Sequence, residues 1–186
     1  TYCTTGMYQN ALATAGIEDA EIVVAGPYNI SGTAALVGAI KSYENMTGET
    51  VSQENVDTAT NELVVTGKLA ESVGDSDKAE QLVGAVKEQV VEGSDNGKEL
   101  TEEEIGNVVD QAAQEMDVQL SDEDRQEIVA LMDKIKGLDI DVDSLKEQAK
   151  DLYDKIDDLG LKLDWNQEKV QGFFSKIIEF FKNLFS

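Results

Sequence analysis

The acidic residues of this chain fall at spacings that invite a calcium site. Glu92-Gly93-Ser94-Asp95-Asn96-Gly97, with Glu103 at the twelfth position, has the Gly and the closing Glu of an EF-hand loop. Its first position is Glu rather than Asp, and Glu99 stands where an apolar residue belongs. Asp139, Asp141 and Asp143 alternate as calcium ligands do, but the twelfth position is Lys150 and no Gly occupies the sixth. These acids suit weak, diffuse cation binding, helix caps and a solvated face better than a formed metal site. No metal or other cofactor is expected beyond such weak calcium binding.

A second candidate is Ser31-Gly32-Thr33 behind an apolar run. Hydroxyls and free N–H groups at a helix start can hold an anion. The Gly-x-x-x-x-Gly-Lys pattern of a phosphate loop is absent and Lys41 is too far along to reach back, so a plain N-cap is the simpler reading. Cys3 is the single cysteine, and no histidine exists to activate it. Thr1 has the type of an N-terminal nucleophile with no supporting residue. With 38 acids, close carboxylate pairs arise by chance, and no catalytic residue is assigned.

The elements that must position these residues are mostly helices. Thr4 or Thr5 caps a first helix closed by Gly16. Glu21-Ile22-Val23-Val24-Ala25 reads as a short strand ended by Gly26-Pro27. Gly32 to about Met46 reads as a helix stopped by Gly48. Partner strands for the lone strand are expected from residues upstream, since the chain opens at Thr1 rather than Met, or from another chain. Apolar residues spaced three and four apart predict helices over 53–73, stopped by Gly74, and over 77–91, stopped by Gly93. Thr101 and Glu104 form a capping box, and Ser121 opens a further helix. Gly137–Asp143 and Gly160–Asn166 repeat one helix-to-helix turn. The expected fold is α+β and predominantly helical: an α/β piece over 1–48, an acidic array of helical hairpins over 49–164, and an amphipathic helix over 165–186.

Charge and apolar surface narrow the function classes. Asp and Glu total 38 against 15 Lys and Arg, a net charge of −23, which opposes nucleic-acid binding. Residues 165–186 depart from this, with two acids and three bases. All five phenylalanines lie there. On a helical wheel Phe173, Phe174, Ile177, Ile178, Phe180, Phe181, Leu184 and Phe185, with Val170, fill one arc of roughly 160°. Trp165 stands at its start. Such a face packs on its own domain, on a second copy, on a partner protein or in a membrane interface.

Tyr2-Cys3-Thr4-Thr5-Gly6-Met7-Tyr8-Gln9-Asn10-Ala11-Leu12, then Ala25-Gly26-Pro27 and Ser31-Gly32-Thr33-Ala34-Ala35-Leu36, with Leu163-Asp164-Trp165-Asn166 further on, resemble the YpuA-like family, a domain of unknown function (family 1002) in Gram-positive bacteria. The resemblance implies an extracytoplasmic protein, secreted or in the cell envelope, and brings no catalytic residues. The expected function is a non-enzymatic binding module. The alternatives are a hydrolase-type site near the start of the Gly32 helix, with Ser31, Thr33 and Cys3, and weak cation binding.

Overall fold

The computed structural model describes residues 3–17, 21, 23, 30–95 and 100–141. The chain divides into two compact units, Thr1–Lys150 and Asp151–Ser186, and the second lies outside the described residues. Six helices follow in order: α1 (Thr5–Thr14), α2 (Gly32–Thr47), α3 (Gln53–Val73), α4 (Ser76–Asp95), α5 (Glu102–Glu115) and α6 (Asp122–Ile135).

The caps explain where the helices begin. Thr4, Ser31, Ser52, Thr101 and Ser121 each turn a hydroxyl onto the amide three residues on, satisfying an orphan N–H of the first turn. Thr101 and Glu104 close the expected capping box. Ser121 and Asp124 close a second, built with Asp in place of Glu. Gly48 and Gly74 end α2 and α3 in the left-handed region, at φ 77° and 76°. The expected stop at Gly93 is overrun: α4 continues to Asp95. A Cβ on Gly93 would stand 3.0 Å from a methyl of buried Leu100, so this glycine makes room for a side chain inside the helix rather than ending it.

The α+β expectation is corrected. Among the described residues there is no strand, and the six elements are all helical. Of the expected strand, Glu21 and Val23 belong to no ladder and are exposed, Val23 at 83%; Ile22, Val24 and Ala25 lie outside the described residues. The physical reason is that a strand needs a partner for its backbone groups. Here α1 and α2 pack directly on α3, so no sheet stands between them.

α3 and α4, linked by Gly74 and Asp75, form the central hairpin. α3 packs against α1, α2, α4 and α6, and α4 against α1, α5 and α6. One apolar centre joins Met7, Ala11 and Leu12 of α1 to Leu36 and Ile40 of α2 and to Val56, Ala59 and Leu63 of α3. On α4–α6, Leu82, Val86, Val90, Ile105, Val109, Ile128, Leu131 and Met132 are buried. The α5–α6 hairpin is tied from outside by Arg125, whose guanidinium donates from Nε (2.6 Å) and Nη2 (2.8 Å) to the two carboxylate oxygens of Asp110.

Candidate functional site

α1 carries no charged residue between Thr5 and Thr14, and it buries Met7, Ala11, Leu12 and Thr14. Apart from the bond of Tyr8 to α2, its polar partners come from the central hairpin. Lys87 of α4 is 1% exposed and Glu62 of α3 is fully buried. The Lys87 ammonium donates to Glu62 Oε1 (2.9 Å), to the Asn10 carbonyl (2.6 Å) and to Thr14 Oγ1 (3.2 Å). The Thr14 hydroxyl in turn donates to Glu62 Oε2. An ammonium has three donors and no acceptor, and here all three are used. A buried ion pair so satisfied ties three helices through one point.

A second buried carboxyl, Glu80, sits under the first turn of α1. The Thr4 hydroxyl donates to it and the Met7 amide reaches it. Its side chain occupies the space a Cβ on Gly6 would need, and its backbone carbonyl accepts from Asn10 Nδ2 at 3.0 Å. Burial holds the Glu80 carboxyl above the ordinary glutamate range. The hydrogen bonds from Thr4 and Met7 pull it down, and the charges of Asp77 and Asp75 add to the rise.

The sequence-derived anion site is a helix cap in its geometry. Ser31 Oγ accepts from the Ala34 amide at 3.2 Å and lies 3.4 Å from Thr33 Oγ1. Ser31 is exposed; Gly32 and Thr33 are half-buried. Cys3 and Tyr8 do meet at Gly32. A Cβ there would collide with the Cys3 sulfur, and the Tyr8 hydroxyl donates to the Gly32 carbonyl at 3.2 Å. Burial pushes the Cys3 thiol up, against the smaller downward pull of the Tyr8 hydrogen bond. Burial likewise raises Tyr8. A buried thiol held protonated is a poor nucleophile.

The calcium candidates are placed differently from a ligand loop. Glu92 to Asp95 belong to α4, so the first four positions of the EF-like segment are helical, and Ser94 Oγ bonds back to the Val90 carbonyl. Glu103 is in the first turn of α5. Among the described residues no three Asp, Glu, Cys or His side chains cluster as metal ligands. Asn96–Glu99 and Asp143 lie outside the described residues. So do the residues read as an interaction face: Trp165, Phe173, Phe174, Ile177, Ile178, Phe180, Phe181, Leu184 and Phe185.

Lys87, Glu62 and Glu80 were not singled out by spacing. One signal was available. α4 carries Ala79, Leu82, Val83, Ala85, Val86, Val90 and Val91, an apolar surface too wide for one face. A helix apolar nearly all round is surrounded by neighbours, and its charged residues are then inside with it.

The model of a family described as Protein of unknown function (DUF1002) matches residues 1–152. The chain belongs to the DUF1002 family. The match takes in all six helices, with Lys87, Glu62 and Glu80. Another protein similar to this DUF1002 chain, the Uncharacterized protein YpuA of Bacillus subtilis (strain 168), is 34% identical over 98% of this chain and 60% of its own length. The chain thus spans less than two thirds of that relative. No solved structure matches. No candidate membrane-spanning helix occurs among the described residues.

Proposed function

We propose that this DUF1002 chain is a non-enzymatic, extracytoplasmic interaction module, secreted or held in the cell envelope, in which α1–α6 form the scaffold and residues 165–186 engage the partner. The observation that carries this reading is how the buried reactive groups are used. Lys87, Glu62 and Glu80 spend their hydrogen bonds fastening one helix to the next. Cys3 is buried with its thiol kept protonated. Groups so engaged hold a shape. The one-sided apolar arc of residues 170–185 supplies what a scaffold needs to make contact, and its charge differs from the acidic remainder. The extracytoplasmic placement rests on the family resemblance alone.

Deleting residues 165–186 tests the proposal. The truncated chain should keep its helical circular-dichroism signal and urea midpoint while losing self-association in light scattering, or capture of a protein partner. Co-sedimentation with anionic and neutral vesicles separates a membrane surface from a protein one. Unfolding of the truncated chain would make the segment core and overturn the reading.

A further inference from the structure

We propose that a polar face of α4 is the seat of residues 142–150, the stretch of chain that follows α6. Gln81, Glu88 and Gln89 are 2%, 6% and 5% exposed, Ala85 between them is 1% exposed, and Glu92 is half-buried. At about 100° per residue these five fall within one arc of roughly 100°. Other helices hold α4 on either side of that arc. Glu80, Gly84 and Lys87 turn to α1 and α3, and Gly93 on the other side meets Leu100 ahead of α5. Gln81 Nε2 and Gln89 Nε2 have no hydrogen-bond partner among the described residues. Buried amide donors are almost always satisfied, so a row hidden from water in this way calls for a cover that brings oxygen atoms.

Residues 142–150 belong to the same compact unit as α4. The chain also reaches them at the right end of that helix. Lys136, the cap of α6, donates to the Leu100 carbonyl at 2.9 Å, and Leu100 lies against Gly93 near the end of α4. Ile140 is 8% exposed, so the chain turns back onto the body after α6. Nine residues in helical form span about 13 Å, enough to run from Glu92 to within a turn of Gln81. Charge then selects this stretch. Lys146 and Lys150 are four residues apart, as Glu88 and Glu92 are. On a helical wheel the two lysines adjoin the apolar arc of Val142, Leu145 and Ala149, with Asp143 and Glu147 beyond them. An antiparallel approach sets Lys146 and Lys150 against Glu92 and Glu88, and Ser144, Glu147 and Gln148 carry the oxygens that the glutamine amides need. Residues 18–29 carry three acids and no Lys or Arg, and a second copy brings a net charge of −23, so this acidic face repels both. The proposal stands apart from any partner of residues 165–186.

Carbodiimide cross-linking of the dilute full chain, read by peptide mass spectrometry, tests it without any substitution. Lys146 or Lys150 should be joined to Glu88 or Glu92 within one molecule, and a mixture of ordinary and isotope-labelled chain separates such links from those between two molecules. Thiol labelling gives a second reading. In a Cys3→Ser background, the thiol introduced by Ala85→Cys should react about tenfold or more slowly than in urea. Lys146→Glu with Lys150→Glu should speed that reaction about fivefold or more, and adding Glu88→Lys with Glu92→Lys should slow it again. Absence of the links, links from Glu88 and Glu92 to Lys98 or to a second molecule alone, a labelling rate unmoved by the lysine reversals, or a charge swap that does not slow it would overturn the proposal.

Discussion

Replacing Lys87 by Met removes the ammonium from the contact of α1, α3 and α4 while keeping a similar volume. At 2.9 Å from Glu62 Oε1, and with an effective dielectric of about 20, the lost attraction is on the order of 6 kcal/mol. In the parent protein that attraction is largely offset by the cost of desolvating both ions, several kcal/mol each. The single substitution keeps the desolvated carboxylate and loses its partner, so it should cost about 3–5 kcal/mol. For a domain whose total stability is about 5–15 kcal/mol, that is a large share. With a urea slope of about 2 kcal/mol per M, the midpoint should fall by roughly 1.5–2.5 M. The triple variant Lys87→Met, Glu62→Leu, Thr14→Val removes every polar side chain of the cluster. The Asn10 carbonyl keeps its place in the α1 ladder. The triple variant should recover to within about 2 kcal/mol of the parent or exceed it. Urea titrations followed by far-UV circular dichroism measure all of these. A loss below about 1 kcal/mol in Lys87→Met, or a triple variant as weak as the single, would refute the idea that the pair's cost lies in its desolvation.

Asp124 accepts from the hydroxyls of Ser121 (2.6 Å) and Ser72 (2.7 Å) and from the Ser121 amide (3.1 Å). Burial works upward on its carboxyl, but these bonds together hold it below the ordinary aspartate range. Its contribution is thus present above the unfolded value and lost as pH falls through the folded one. Asp124→Ala should cost about 1–2 kcal/mol at neutral pH, a difference that shrinks in acid melts. Cys3 should react with a thiol reagent about tenfold or more slowly in the native chain than in urea, read by the rate of label uptake. Gly74→Ala should destabilise by about 1–2 kcal/mol because its φ is 76°, whereas Gly38→Ala, with nothing within 4 Å, should stabilise by up to about 1 kcal/mol. Thermal melts of the two glycine variants should move in opposite directions.

Much of this fold was readable because local chemistry decides helix ends. Ser31, Thr101 and Ser121 cap where hydroxyl position says they should, and α3 runs from Gln53 to Val73 with Gly74 as its stop. What was not readable depends on contacts far along the chain. The β-branched run at 21–25 has local preference for a strand, but no second strand exists among the described residues to hold it. Gly93 looks like a terminator until Leu100 is found against it. Lys87 and Glu62 look like surface charges, since their burial depends on α1, more than 45 residues away from either. Of the candidate site, the cap at Ser31 was legible, and the two buried carboxyls under α1 were not.

The fastening of α1 has a consequence for synthesis. α1 leaves the ribosome before the other five helices, yet the ammonium that donates to the Asn10 carbonyl arrives 77 residues later. A helix of ten residues is marginal alone in water. It must therefore wait, largely unwound, until the α3–α4 hairpin is made, and its docking closes a long loop late in folding. Nascent chains arrested before Lys87 has emerged should be cut by protease within residues 5–14, and chains released beyond α4 should resist it.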